Sequence, residues 1–203
     1  PAQFLLRQRA QLSFFEKDEL ATELPAQLSS LDEWKVGARV LSGAVAGHDV
    51  ESLKTRERLL GDLPPGELGN RILDDIVGRV GQVMDTRRPF SEGGQVPHQV
   101  DLTVSGVRLT GRTASVGGRV LHTGYSTPAD KHVAEAWVDA LALSAQLGRP
   151  VDAVVVGRRG RGNSGRRTLA GVDPTTAIQL LTRLVNLAID GMERVLPMPP
   201  RVS

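Results

Sequence analysis

The apolar positions of this chain follow two different periods. Up to about residue 85 they recur every three or four residues, through the hairpin-like middle they alternate, and after residue 129 the helical interval returns. The opening places Phe4, Leu5, Ala10, Leu12 and Phe15 at mixed helical spacing. Ser30 followed by Glu33 has capping-box spacing and predicts a helix through Trp34, Val36, Val40, Leu41 and Val45, stopped by Gly47. Asp49 predicts the cap of a short helix, VESLKTRERLL, ended by Gly61 and Pro64-Pro65. Leu68, Ile72, Leu73, Ile76, Val80 and Val83 then predict a helix over roughly residues 66 to 85.

The stretch QVDLTVSGVRLTGRTASVGGRVLHTGYS alternates with period two. It is punctuated by Ser105-Gly106 and Gly117-Gly118, which predicts three antiparallel strands joined by tight turns. Residues 129–147 carry Val133, Ala136, Trp137, Ala140, Leu141 and Ser144 on one helical face, ended by Gly148 and Pro150. VDAVVVG reads as a strand buried on both sides. RRGRGNSGRR reads as a loop. Asp173-Pro174 starts a last helix to about residue 195, with Ile178, Leu181, Leu184, Val185, Ala188, Met192 and Val195 as its apolar stripe.

This order predicts an α/β fold of the α+β kind. Residues 1–65 form an N-terminal helical region, and residues 66–203 an α-β-β-β-α-β-α core, the two read as one compact unit. Phe4, Phe14, Phe15 and Trp34 are expected to be buried against the sheet or each other; an exposed cluster there would mark a subunit interface. The chain opens at Pro1 and is expected to be a piece of a longer polypeptide.

Composition narrows the chemistry. There is no cysteine, which excludes thiol catalysis, disulfides and thiolate metal sites and fits a reducing cytoplasm. Seven aromatic residues are few for stacking single-stranded nucleic acid. The net charge of +2 hides an asymmetry: residues 104–172 hold 10 Lys/Arg against 4 Asp/Glu, whereas residues 1–103 hold 12 against 16. A basic middle suits nucleic acid or an acidic protein partner. An arginine-rich, lysine-poor composition also follows from a GC-rich genome.

The candidate contact residues are arginines. Arg158, Arg159, Arg161, Arg166 and Arg167 crowd the predicted loop, where each guanidinium can hold a phosphate or carboxylate bidentately. Contact with a nucleic-acid backbone, docking of an acidic partner and a merely solvated loop all fit. Arg108, Arg112 and Arg119 are the only charges in VRLTGRTASVGGRVLHTGYS. Gly160 to Gly165 matches GxGxxG, but the next helix opens eight residues later, so a pyrophosphate would not meet its N-terminus. His98 and His122 are placed to neighbour each other across strands near Asp101, without the convergent ligand set a metal needs. His122 with Ser126 and Thr127 lacks the elbow of a nucleophile triad. Asp74 and Asp75 are expected to face solvent. Asp101 alone cannot hold the paired divalent ions of phosphodiester hydrolysis.

A four-stranded mixed sheet in this order resembles the core of the PD-(D/E)XK nucleases. GRVLHTGYST resembles their third strand, with Thr123 where the acid belongs and Tyr125 where the lysine belongs. LTGRTAS puts Thr113 and Ala114 at the other aspartate. Hydroxyls are poor ligands for a hard dication, so the resemblance implies a nuclease scaffold without metal ligands, catalytic residues or cofactor.

Three further stretches resemble the C-terminal domain of RecC, the gamma chain family of exodeoxyribonuclease V. They are FLLRQRAQLSFFEKDELATELPAQLSSLDEWKVGARVL, LLGDLPPGELG and AIDGMERVLPMPP. The resemblance covers essentially the whole chain. It implies a non-catalytic part of a helicase–nuclease that processes double-strand breaks for recombinational repair. The implied partners are the RecB and RecD subunits and DNA at a duplex end or fork, with no membrane and no small-molecule substrate. The eight arginines named above become candidate contacts to DNA or subunits. Two alternatives stand beside this: an active nuclease using Asp101 with Asp74 or Asp75, and a docking module without DNA affinity.

Overall fold

The computed structural model of the chain describes residues 28–160 and 165–193. Phe4, Phe14, Phe15, Arg161, Val195 and most of the first and last resemblance stretches lie outside the described residues. Helix α1 spans Ser30–Val45, α2 Val50–Leu60 and α3 Glu67–Arg87, followed by one 3₁₀ turn, Arg88–Phe90. Strands β1 (Gln95–Val104), β2 (Val107–Val116) and β3 (Arg119–Thr123) follow. Then come α4 (Asp130–Leu147), β4 (Ala153–Val156), β5 (Arg166–Leu169) and α5 (Pro174–Glu193).

The cap of α1 is one residue earlier than the capping box predicts. Ser29 accepts from the Asp32 amide at 3.1 Å and donates to the Asp32 carboxylate at 2.6 Å. Glu33 is unavailable for capping because it pairs with Arg79 of α3. The cap of α2 is Asp49, as expected, accepting from the Ser52 amide at 2.9 Å, and Gly61 closes that helix at φ +74°. Asp173 likewise caps α5, accepting from the Thr176 amide at 3.0 Å.

The sheet has five strands in the order β1-β2-β3-β4-β5, one more than expected. Strands β1, β2 and β3 run antiparallel in sequence, β3 and β4 run parallel across the α4 crossover, and β5 returns antiparallel on β4. The extra strand comes from the stretch expected as loop. Its RRTL sequence has a single apolar side chain, so periodicity gave no strand signal. As an edge strand it needs only the main-chain partners that β4 offers, and its charges lie outward.

Two cores sandwich the sheet, and β4 feeds both. Val154 and Val156 join Val36, Val40, Leu73, Ile76 and Val83 under α1 and α3. Ala153 and Val155 join Val120, Ala136, Ala140 and Leu143 under α4. Helices from before and after residue 65 thus share one core. A third cluster packs Val104, near the end of the hairpin, on Leu141 of α4 and Ala177, Leu181 and Val185 of α5. The expected stripe of α5 is narrower than predicted: Ile178 and Met192 are 46% and 50% exposed.

The β1–β2 hairpin is ten residues long on each side, from Gln95 opposite Val116 to Val104 opposite Val107. Its turn holds Ser105 at φ +52° and Gly106 at φ +79°, the pair of left-handed residues a two-residue hairpin loop requires. Strand β3 partners β2 only at Ser115–Val120 and Val116–Arg119, so the hairpin runs well past the rest of the sheet.

Candidate functional site

Period two sorts the candidate residues onto two faces. Ala114, Arg112 and Arg108 alternate along β2 on the α1/α3 side. Arg119, opposite Val116, and Arg166, opposite Val156, lie on that side too. The guanidiniums of Arg119 and Arg166 lie 5.8 and 5.4 Å from the centre of the Phe90 ring. Arg108 forks onto Asp101 with bonds of 2.9 and 2.7 Å, and Arg112 donates to Gln99 at 3.3 Å. The Arg108 guanidinium holds the Asp101 carboxyl below the usual carboxylate range.

The predicted loop cluster is dispersed. Arg167, opposite Val155, faces the other way, towards Asp130 at 3.6 Å. Arg158 folds inward, with its guanidinium 4.6 Å from the centre of the Tyr125 ring and a buried Nε. Arg159 is exposed.

The positions matched to nuclease ligands divide as well. Thr113 faces α4, whereas Ala114, Thr123 and Tyr125 line a cavity of about 350 Å³ on the α1/α3 side. Trp34, Arg87 and Gln95 complete its rim and floor. Trp34 is 41% exposed, not buried as expected, because its indole N–H reaches out to the Ser126 hydroxyl at 2.8 Å. Tyr125 is 2% exposed and packs its ring against α1 at Gly37. A neighbouring hollow of about 450 Å³ shares Trp34, Thr123 and Tyr125 and opens towards His132 and Glu135.

The expected histidine neighbourhood does not form around Asp101. An odd and an even position on one strand point to opposite faces, so His98 and Asp101 diverge. His98 pairs with the Ser115 hydroxyl at 2.8 Å. Two residues beyond the last β2–β3 pairs, Thr113 and His122 both reach the same oxygen of Asp139 on α4, at 3.1 and 2.9 Å. Asp139 was invisible to sequence reasoning, as one polar residue on a helix. Phe90, Arg87 and Gln95 were missed too, since they flank the change of period and carry no motif. Asp74 faces solvent as expected, and pairs with Lys54 at 2.9 Å. Among the described residues no group of three His, Asp or Glu side chains has the geometry to hold a metal ion. None of the described helices is long and apolar enough to cross a membrane.

The sequence model of the RecC C-terminal domain family matches residues 1–203. The RecBCD enzyme subunit RecC of Mycobacterium tuberculosis is 33% identical over 192 residues, which is 93% of this chain and 17% of that protein. The same subunit of Mycolicibacterium smegmatis is 32% identical over 183 residues, 89% of this chain and 17% of its own length. That of Escherichia coli is 29% identical over 112 residues, 55% of this chain and 10% of its own length. The chain thus spans about one sixth of the length of the mycobacterial relatives.

Proposed function

Because the chain belongs to the RecC C-terminal domain family, we propose that it serves a RecBCD-type helicase–nuclease as a non-catalytic part that guides DNA and docks subunits. The observation that carries this is the placement of Arg108, Arg112, Arg119 and Arg166 on one face of the sheet. Such a face attracts a phosphate backbone without reading its sequence. A nuclease-like ancestry accounts for the sheet order and for a cleft where Ala114, Thr123 and Tyr125 stand in place of ionic ligands. Docking against RecB or RecD is supported by Leu59 and Leu60 at the end of α2, which are 83% and 49% exposed.

The active-nuclease alternative is disfavoured because, among the described residues, its carboxylates do not gather into a metal-holding group. Asp101 on β1 is forked by Arg108, and Asp74, paired with Lys54, and Asp75 stand apart from it on α3. A labelled forked duplex, titrated across a salt series, tests the DNA reading. Affinity should fall steeply with salt. Arg108→Ala with Arg112→Ala should make the log–log slope shallower by about 1.5. Absence of binding at low salt would leave the docking role alone, and cleavage with Mg²⁺ or Mn²⁺ that is lost in Asp101→Asn would establish the nuclease.

A further inference from the structure

Among the described residues the sheet has two edges, β1 and β5. Strand β5 is short and opens on two arginines, Arg166 and Arg167. Strand β1 is ten residues long, pairs with β2 without a bulge, and contains no lysine or arginine. Its one carboxylate, Asp101, is engaged by Arg108. A long, even edge of this kind invites a further strand, and proteins close such edges with charge, proline or a covering group.

The hydrogen bonds of β1 show which main-chain groups face outward. The Asp101 amide donates not to β2 but to the Gln146 side-chain oxygen, at 3.0 Å, and the Gln146 amide donates to the Gln99 carbonyl at 2.7 Å. Opposed positions of an antiparallel ladder alternate between bonded and non-bonded pairs. Gln95, Pro97, Gln99, Asp101 and Thr103 therefore all turn their main-chain groups away from β2. Pro97 has no N–H to offer in that row. Gln146 stands exposed in the last turn of α4, and its carboxamide fills one donor and one acceptor as the peptide group of an added strand would. Among the described residues no other side chain bonds to this row.

A second copy of the chain always brings a matching edge, since a two-fold contact uses the same surface twice. The register of such a pair decides what meets. Centred on Asp101, it would oppose two carboxylates, which is unfavourable. Centred on Gln99, it sets Asp101 opposite Pro97 and Gln95 opposite Thr103, with no like charges facing. That register draws on the Gln99 carbonyl and the Asp101 amide, the two groups Gln146 holds. We propose that Gln146 is an edge guard, which keeps β1 from pairing antiparallel with β1 of a second copy about Gln99. The inference is independent of the DNA reading above.

Sedimentation velocity over a concentration series, from micromolar to submillimolar, tests the guard. The chain itself should sediment as a monomer throughout. Gln146→Ala puts a better helix former at an exposed position of α4 and frees both groups of β1. Its weight-average mass should rise with concentration towards that of a dimer. Adding Gln99→Pro to Gln146→Ala should restore the monomer. The Gln99 N–H lies outside the β1–β2 ladder, so the proline removes the donor at the two-fold axis and leaves the hairpin paired. A Gln146→Ala chain that stays monomeric at every concentration would overturn the proposal. Association that persists after Gln99→Pro would place the contact elsewhere and overturn it too. So would a dimer of the unaltered chain that Gln99→Pro dissolves, since the edge would then be open despite Gln146.

Discussion

The ring of Tyr125 lies directly on the backbone of Gly37, so closely that a Cβ at position 37 would stand 2.1 Å from its edge. Only a residue without a side chain lets α1 approach the end of β3 this far. Gly37→Ala should therefore destabilise the chain by about 2 kcal/mol, read as a lower urea midpoint. Gly78→Ala is the control. Gly78 is in α3 with open space around the new methyl, and the change should stabilise by about 0.5 kcal/mol.

Glu57 is 2% exposed and accepts three bonds from Arg39, at 3.0 and 2.6 Å on one oxygen and 3.2 Å on the other. Removing the carboxylate strands the guanidinium against the α1–α2 contact, where only Asp62 remains to it. Glu57→Ala should cost about 3 kcal/mol in equilibrium unfolding. A cost below about 0.5 kcal/mol would show that Asp62 and water replace the pair.

Among the described residues four carboxyls lie below their usual range. Asp32 is held by the Ser29 hydroxyl and Lys35, Asp49 by Ser52, Asp101 by Arg108 and Asp173 by Thr176. Each binds a proton less readily in the folded chain than in the unfolded one. Their contribution is complete above the unfolded value of about 3.9 and is lost as pH falls through the lower folded values. Urea midpoints should hold steady down to about pH 5 and decline below about pH 4. Asp173→Asn keeps the cap acceptor but does not titrate, so its acid decline should be shallower.

Arg158 and Arg112 should separate stability from DNA contact. Arg158→Ala removes the cation over Tyr125 and should cost about 1 kcal/mol of stability, with the salt slope of DNA binding unchanged. Arg112→Ala should do the opposite, lowering the slope by about 0.7–0.9 and leaving the unfolding midpoint in place. A variant pair that moved both readouts together would mean the two arginines share one role.

Helix periods, the Asp49 and Asp173 caps, both hairpin turns and the doubly buried β4 were legible because each is a local signal repeated over several residues. The fifth strand was not, since an edge strand needs only a neighbour's main chain and RRTL shows no alternation. The arginines were legible as residues and illegible as a surface. Strand parity sends Arg167 to one side and Arg166 to the other, and parity depends on where β5 begins. The cavity was hidden for a related reason. Trp34, Arg87, Gln95 and Tyr125 come from four separate segments, and no spacing in the sequence announces their meeting.

The meeting of Thr113 and His122 at Asp139 has a mechanical consequence. Main-chain pairing between β2 and β3 ends at Ser115–Val120, so the long hairpin is not welded to the sheet along its length. It behaves as a beam, propped by α4 and α5 under Val104 and pinned to α4 at two places, by the Asp139 carboxylate and by Gln146, which accepts from the Asp101 amide at 3.0 Å and donates to the Gln99 carbonyl at 2.7 Å. A load on the Ser105-Gly106 turn passes into the two helices through those two pins, largely bypassing the β2–β3 ladder. The stiffness of the beam is thus set by two side chains of one helix, Asp139 and Gln146.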